Sequence, residues 1–268
     1  MHLDQSELLR RFEFAKTLAK SGGALTLDYF DKQVSYERKS DNTPVTIADR
    51  NAETLMRQQI SDQYPNDAIL GEEHGETAGT SGFRWILDPI DGTKSFITGV
   101  PLYGTLVGLE FDQQSVVGII ELPALDRRVF AATGHGAYSQ IGESEPIPAR
   151  VSDCENLSDA IFLTSEVATF GDRGATDIYS QIQQSCWISR TWGDCYGYYL
   201  VATGRAQVMV DPIMSIWDAA ALQPIMKESG GIYSNWQGEE TIYSKEGIGT
   251  SVKLLDQIVA ITSKAERL

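Results

Sequence analysis

The segment Trp85-Ile86-Leu87-Asp88-Pro89-Ile90-Asp91-Gly92-Thr93-Lys94 joins a short apolar run to two carboxylates, a glycine and a threonine. The apolar run is rich in residues that favour β-strands, and the proline and glycine that follow it are typical of a turn. The spacing therefore predicts a strand that ends at Leu87 and brings Asp88 and Asp91 to one point.

Two carboxylates at this spacing repel each other unless a positive charge lies between them. Each raises the pKa of the other, and a hard divalent cation with oxygen ligands keeps both ionised. Mg²⁺ fits that description. An ordinary turn after a strand explains the same residues without a metal, because Asp, Pro and Gly are turn formers. The segment alone leaves both interpretations open.

Composition limits the class of protein and its partners. The chain has 268 residues, of which 42% are hydrophobic and 22% charged, as in an ordinary globular protein. Its formal net charge of −15 argues against nucleic acid and anionic membranes as partners. Cys154, Cys186 and Cys195 form no C-x-x-C motif, so we expect no disulfide framework or zinc cluster, and a cytoplasmic location suits them. No apolar run approaches the ~20 residues of a membrane span.

Hydrophobic periodicity divides the chain into two halves. In residues 1–145, an amphipathic helix that ends near Gly22-Gly23 and a second helix precede four strand-like runs, which predicts a helix pair over an antiparallel sheet. In residues 146–268, strands alternate with helices, which predicts an α/β layer. One of these helices spans Trp217 to Glu228, and Pro224 should kink or open it.

Further acidic residues lie at the ends of predicted elements. Gly71-Glu72-Glu73 follows an apolar run, Asp49 lies near the start of the second helix, and Asp218 lies at the start of the helix just described. Each has an ordinary explanation. Acids in a first helical turn complement the helix dipole, Thr46 and Asp49 have capping-box spacing, and a Glu-Glu pair is most often a solvated loop.

Taken together and in this order, three motifs resemble the inositol monophosphatase family: Gly71-Glu72-Glu73, Asp88-Pro89-Ile90-Asp91-Gly92-Thr93 and Trp217-Asp218-Ala219-Ala220. The segment Val45-Thr46-Ile47-Ala48-Asp49 is also similar to the family's stretch before its second helix. The resemblance covers most of the chain and implies an α+β fold of alternating α/β/α/β/α layers, as in sugar phosphatases. It further implies an Mg²⁺-dependent phosphomonoesterase that acts on a small phosphomonoester and forms a homodimer.

The resemblance also implies a set of metal ligands. Glu72, Asp88 and the backbone carbonyl of Ile90 would bind one Mg²⁺, and Asp88, Asp91 and Asp218 would bind a second, so that Asp88 bridges the two. Glu72 would also contact a weaker third ion through water. Ligation by oxygen alone is what Mg²⁺ prefers.

Other matching residues are assigned to the reaction itself. By the same resemblance, Thr93 assisted by Asp49, together with Glu72, would orient and help deprotonate a water that attacks phosphorus directly. Asp91, Gly92 and Thr93 would lie against the phosphate, which backbone N–H groups around the glycine would hold. The two residues between Asp88 and Asp91 distinguish this motif from the D-x-D of aspartyl-phosphate phosphatases.

The segment Ser189-Arg190-Thr191-Trp192-Gly193-Asp194-Cys195-Tyr196-Gly197-Tyr198 resembles the histidinol-phosphate phosphatase branch of the family. Asp194 would face the ligand, because a carboxylate in a partly dry pocket recognises the cationic groups of histidinol phosphate better than it recognises neutral hydroxyls. The resemblance adds an acidic substrate contact at Asp211. Arg190 would order these acids or reach the partner subunit. An N-cap at the start of the following helix is the ordinary alternative for Asp194.

Two other functions remain open at this point. The metal ligands are common to all branches, so the substrate could instead be inositol 1-phosphate or a range of sugar monophosphates. A noncatalytic metal-binding homologue would keep the acids without turnover. Lys39 is either a residue near the outer metal or a plain surface lysine. An EF-hand is excluded because no D-x-[DN]-x-[DN]-G loop occurs.

Overall fold

Helices and sheets alternate in this chain, and apolar side chains fill each boundary between them. The computed structural model describes residues 3–32, 34–38 and 44–266. The α-helices are α1 (Gln5–Leu27), α2 (Ile47–Gln63), α3 (Thr93–Ile97), α4 (Ala168–Asp172), α5 (Thr176–Ser185), α6 (Asp194–Ala202), α7 (Ile216–Ala219), α8 (Leu222–Glu228) and α9 (Val252–Thr262). The strands are β1 (Tyr36–Arg38), β2 (Pro44–Thr46), β3 (Ala68–Gly71), β4 (Gly75–Thr77), β5 (Phe83–Asp91), β6 (Gly104–Phe111), β7 (Gln114–Leu122), β8 (Arg127–Ala132), β9 (Ala137–Ile141), β10 (Ile147–Pro148), β11 (Ile161–Leu163), β12 (Ile188–Arg190), β13 (Val208–Asp211), β14 (Gly231–Ser234) and β15 (Gly247–Ser251).

The larger sheet has eight strands in the order β10-β9-β8-β7-β6-β5-β3-β4. Its strands pair in antiparallel fashion except for β3 and β5, which are parallel. Helices α1 and α2 cover one face, and α6 and α8 cover the other. Every residue of β6 is consequently buried, as expected for a strand with both faces covered. The predicted helix pair over an antiparallel sheet is confirmed.

A second sheet has five strands in the order β12-β11-β13-β15-β14, with β12, β11 and β13 parallel, and β1 and β2 form a separate two-stranded antiparallel sheet. Helices α6 and α8 pack on one face of the five-stranded sheet, and α5 and α9 cover a separate apolar cluster on the other. The layers therefore run α/β/α/β/α, and the predicted fold class is confirmed. None of the helices in the described ranges is both long and apolar enough to cross a bilayer.

One apolar cluster joins the two predicted halves of the chain. It combines Ile120 of the larger sheet with Tyr199 of α6 and Leu222 of α8. Strand β10 (Ile147–Pro148) also pairs with β9, so the larger sheet extends past residue 145. The division into residues 1–145 and 146–268 stays a prediction.

One predicted helix boundary is wrong, and one predicted helix interruption is confirmed. Helix α1 continues through Gly22 and Gly23 to Leu27, because these glycines are contact points: a Cβ on Gly22 would lie 2.6 Å from the sulfur of Met56. The helix predicted over Trp217 to Glu228 is opened between α7 and α8, as expected from Pro224: the carbonyl of Ala220, four residues before the proline, accepts a hydrogen bond from the Ser115 hydroxyl (2.6 Å) instead. Pro224 then lies in the first turn of α8, where its missing N–H costs nothing.

Glu121 on β7 is a buried carboxylate outside the predicted site. Within the described part of the chain its Oε2 atom has no hydrogen-bond partner. Burial raises the pKa of Glu121 to about 7 from its usual 4.5. The folded protein therefore keeps a proton that the unfolded chain releases, so this group lowers the free energy of unfolding as pH rises from about 4.5 to about 7.

Replacing Glu121 with glutamine should stabilise the protein at pH 8 by ~1–3 kcal/mol, and by less at pH 5.5, where wild-type Glu121 is already neutral in the folded state. Urea unfolding at the two pH values measures the difference. Glu143→Gln is the control, because that neighbouring carboxylate is exposed and paired with Lys20. An equal gain at both pH values would show that ionisation of Glu121 is not the cause.

Candidate active site

Strand β5 carries the first two acids of the site and does not end at Leu87 as predicted. It runs to Asp91, and its pairing with β6 shifts register between Asp88 and Asp91. Such a bulge accommodates Pro89, which has no N–H to donate to the ladder. The Pro89 carbonyl accepts a hydrogen bond from the Thr105 hydroxyl at 2.7 Å. The strand end was wrong, but the bulge still places both carboxylates on one side of the cleft.

Residue 92 connects β5 to α3, and its conformation requires a glycine. Its φ of +86° lies in the left-handed region, and an added Cβ would lie 3.0 Å from Oδ2 of Asp194. The chain can therefore turn directly into α3, which begins at Thr93. The Thr93 hydroxyl donates to the Ile90 carbonyl at 3.0 Å. Phosphate-binding candidates and metal-binding candidates thus lie in one short turn.

Acids from six segments of the chain line a single cleft of about 400 Å³. One carboxylate oxygen each from Asp88, Asp91 and Asp218 lies within 4.8 Å of the others, and Glu72 lines the same cleft. Asp218 also accepts the Ser215 N–H at 2.7 Å in a capping box. Its ordinary role at a helix start and its place in the acidic cluster therefore coexist.

The cluster is electrostatically unfavourable without a cation. Burial, followed by the charges of Glu72 and Asp91, raises the pKa of Asp88 well above its usual value. Burial, followed by the charges of Asp194 and Asp218, does the same to the pKa of Asp91. Burial raises the pKa of Asp218 to about 7. These carboxylates repel one another in the cleft, and they offer only oxygen atoms as ligands. Hard divalent cations prefer such ligands and would offset the repulsion.

The predicted pair of water-activating residues is not directly connected in the structure. Oδ2 of Asp49 accepts from the backbone N–H of Thr46 at 2.8 Å and from its hydroxyl at 2.6 Å, so the predicted capping box is confirmed. Burial raises the pKa of Asp49 to about 6. The Thr93 hydroxyl is bound to Ile90 instead. A proton passing between Asp49 and Thr93 would need a bridging water or a rotated side chain.

Asp194 lies directly beside the turn at Gly92. It is the first residue of α6, whose N-cap is Gly193 with no side-chain capping bond, so the N-cap alternative for Asp194 is wrong. Its φ is +51°, and its backbone N–H donates to the Ser165 hydroxyl at 2.8 Å. Burial, followed by the charge of Asp211, raises the pKa of Asp194 to about 6. A cationic ligand would be favoured beside this carboxylate.

Ser165 is a residue of the site that the sequence analysis missed. Its backbone N–H donates to Oδ1 of Asp211 at 2.9 Å, and the hydroxyl of Thr164 donates to the same atom at 3.3 Å. Asp211 lines the cleft. It also fixes Thr164 and Ser165, and Ser165 in turn accepts the backbone N–H of Asp194. Thr164 and Ser165 follow the carboxyl end of the parallel strand β11, a position where ligands bind in α/β sheets, and this topology could have identified them.

One predicted substrate-binding residue is not brought to the cluster. Arg190 is exposed at the end of β12, and its guanidinium carbon lies 5.9 Å from the ring centre of Trp192. It is not among the described residues that line the cleft. Its predicted contact with the acids or with a partner subunit stays a prediction. Lys39 lies outside the described residues.

Comparison with known proteins agrees with this geometry. Residues 7–267 match the inositol monophosphatase family. A histidinol-phosphatase of Chlorobaculum parvum is 41% identical over 257 residues, which cover 95% of this chain and 97% of that protein. A histidinol-phosphatase of Streptomyces coelicolor is 35% identical, with 94% and 97% covered. The solved structure of an inositol monophosphatase from Zymomonas mobilis has a TM-score of 0.84 at 28% identity, covering 97% of this chain and all of that one. The chain therefore belongs to the inositol monophosphatase family, whose members are metal-dependent phosphatases.

Proposed function

We propose that this protein is an Mg²⁺-dependent phosphatase that hydrolyses histidinol phosphate to histidinol and phosphate. The observation that carries the choice of substrate is the position of Asp194, whose carboxylate lies directly beside the turn at Gly92: a Cβ on that glycine would lie 3.0 Å from its Oδ2 atom. The full-length similarity to two histidinol-phosphatases supports the same choice. A substrate that carries a cation as well as a phosphate matches an acid that lies beside the proposed phosphate-binding turn.

The acidic cluster would hold two or three Mg²⁺ ions. Glu72, Asp88 and the carbonyl of Ile90 are the proposed ligands of one ion, and Asp88, Asp91 and Asp218 are those of the second. The convergence of three of these carboxylates in a buried cleft supports the assignment. When bound, the ions would lower the pKa of a water molecule and offset negative charge on the phosphate and the leaving oxygen.

The protein's own residues would orient the reacting groups. Backbone N–H groups of Gly92 and Thr93 would hold phosphate oxygens at the left-handed turn. The Thr93 hydroxyl would orient the attacking water and pass its proton toward Asp49, whose raised pKa of about 6 suits a group that accepts a proton near neutral pH. Because the Thr93 hydroxyl donates to the Ile90 carbonyl in the structure, this transfer would run through a bridging water or a rotated Thr93 side chain.

Asp194 would bind the ammonium or imidazole of the substrate. Its backbone N–H donates to the Ser165 hydroxyl, which fixes the residue in the cleft, and Asp211 beside it adds negative charge. A buried carboxylate forms a strong charge-assisted hydrogen bond with a cation and gains less from a neutral hydroxyl. The local charge therefore favours an amino-alcohol phosphate over a sugar phosphate.

A substrate panel tests the proposal. We expect the highest kcat/KM with histidinol phosphate when it is compared with inositol 1-phosphate, fructose 1,6-bisphosphate and adenosine 3′,5′-bisphosphate in Mg²⁺. The second candidate, a broad inositol or sugar monophosphatase, is favoured by the structural similarity to the Zymomonas mobilis enzyme. Equal or faster turnover of inositol 1-phosphate would select it. Release of no phosphate from any of these esters would select the noncatalytic homologue.

We also propose that the protein is a cytoplasmic homodimer, as the family resemblance implies. Light scattering coupled to gel filtration tests the dimer directly. A mass near 29.5 kDa, that of one chain, would contradict it.

A further inference from the structure

Glu53 on α2 is a fully buried carboxylate directly behind the turn that carries Glu72. Its Oε2 atom accepts the backbone N–H of Glu73 at 2.7 Å, and its Oε1 atom accepts the backbone N–H of His74 at 3.2 Å. The two peptide groups that follow Glu72 are therefore fixed to a helix. A surface turn would otherwise bond these groups to solvent and be free to move.

Two neighbours hold the Glu53 carboxylate in this position. Gly71 leaves room for it, because a Cβ at that residue would overlap the carboxylate. Arg57, one helical turn further along α2, donates from Nε to Oε1 at 2.6 Å. The same guanidinium donates to the carbonyl of Gly75 and to the hydroxyl of Thr77. Glu53 and Arg57 thus clamp both sides of the β3–β4 turn onto α2.

The clamp connects two parts of the active site. Asp49, the proposed proton acceptor, lies one helical turn before Glu53 on α2. A rigid helix therefore relates Asp49 to the turn at Glu72 through one buried carboxylate. Outer contacts of this kind determine where a metal ligand points, and their loss reduces metal affinity even though they never touch the ion.

We infer that Glu53 is a positioning residue, which holds Glu72 in the orientation that binds the metal. The inference rests on the proposed function, because it takes Glu72 as a ligand. Without the clamp, the turn would sample several conformations, and metal binding would have to supply the free energy of ordering it. The charge of Glu53 itself is compensated by Arg57 and two amides, so it is not available to bind a cation.

Replacement of Glu53 by glutamine tests this role. Glutamine keeps the shape of Glu53 and one of its two acceptor oxygens. Its NH₂ group replaces the other oxygen and would face an N–H donor that then has no acceptor. Calorimetric titration of the substrate-free protein with Mg²⁺ should show a dissociation constant raised about 10-fold to 100-fold. In turnover assays, kcat should recover as Mg²⁺ is increased to saturation, and KM for the phosphomonoester should stay unchanged. An unchanged Mg²⁺ dissociation constant would overturn the inference.

Asp67→Asn is the matched control. Asp67 lies just before the first residue of β3, at the end away from Glu72. Like Glu53, it is a buried carboxylate: it accepts hydrogen bonds from the Arg11 guanidinium (2.8 Å) and from the indole N–H of Trp85 (3.0 Å). We expect it to lower the melting temperature as Glu53→Gln does and to leave Mg²⁺ affinity unchanged. If both variants weaken Mg²⁺ binding equally, general destabilisation is the cause and the positioning role is wrong.

Two further variants separate the possible failures. Glu72→Gln should itself weaken Mg²⁺ binding; if it does not, the proposed ligand set fails. If Glu72→Gln weakens binding and Glu53→Gln does not, only the positioning role fails. Should Glu53→Gln not fold, Arg57→Gln removes the clamp from its less buried side and should raise the Mg²⁺ dissociation constant by about 3-fold to 10-fold. No change in that variant would then overturn the inference.

Discussion

Replacing Asp91 with asparagine is expected to lower kcat on the order of 10³-fold while leaving the protein folded. Asp91 accepts the backbone N–H of Cys195 at the start of α6, and asparagine can keep that hydrogen bond through its carbonyl oxygen. What it lacks is the negative charge that a cation shared with Asp88 and Asp218 requires. Turnover of p-nitrophenyl phosphate and histidinol phosphate, measured up to saturating Mg²⁺, gives the loss directly.

The stability of the same variant should change in the opposite direction. Without metal, the pKa of Asp91 is raised by burial and by the charges of Asp194 and Asp218, so an uncharged residue removes an unfavourable interaction. The variant should therefore melt no lower than wild type in the presence of a chelator. Glu121→Gln is the control for kcat, because it neutralises a buried acid away from the cleft. Wild-type turnover by Asp91→Asn in saturating Mg²⁺ would contradict the proposed ligand set.

The part of the site that continuous motifs carry could be predicted from the sequence. Asp88 and Asp91 are three residues apart, so any turn after a strand brings them near each other, and the resemblance placed Glu72 and Asp218 with them. In the structure these four acids line one cleft, and their roles as metal ligands stay a prediction. The strand end was wrong because a bulge lets β5 continue through Pro89, and periodicity cannot distinguish a bulge from a turn.

The supporting residues could not be predicted in the same way. Glu53 lies on a helix amid polar residues, where sequence alone indicates a solvated face. Its role depends on the approach of the β3–β4 turn, which is possible because Gly71 has no side chain. Ser165 likewise gains its role only when β11 and α6 are side by side. The i, i+4 spacing of Asp49, Glu53 and Arg57 was the available signal, because it places all three on one side of α2.

Replacing Asp194 with asparagine is expected to lower kcat/KM for histidinol phosphate by about 30-fold, equivalent to ~2 kcal/mol, because a buried carboxylate would lose its cationic partner. Hydrolysis of p-nitrophenyl phosphate, which has no cation, should change far less. Asparagine is the appropriate replacement because it tolerates the left-handed φ of +51° at this position, so the backbone contact with Ser165 is retained. Steady-state kinetics on the two substrates measure the ratio.

A second variant separates the charge of Asp194 from its position. Ser165→Ala removes the acceptor of the Asp194 N–H but keeps the carboxylate, so it should weaken selectivity less than Asp194→Asn does, and in the same direction. Lys253→Gln is the control, since Lys253 is an exposed lysine that does not line the cleft and is paired with Glu155. If Asp194→Asn slows both substrates equally, the carboxylate serves the reaction in general and does not recognise the cation. The discrimination between an amino-alcohol phosphate and a sugar phosphate would then have to come from another wall of the cleft.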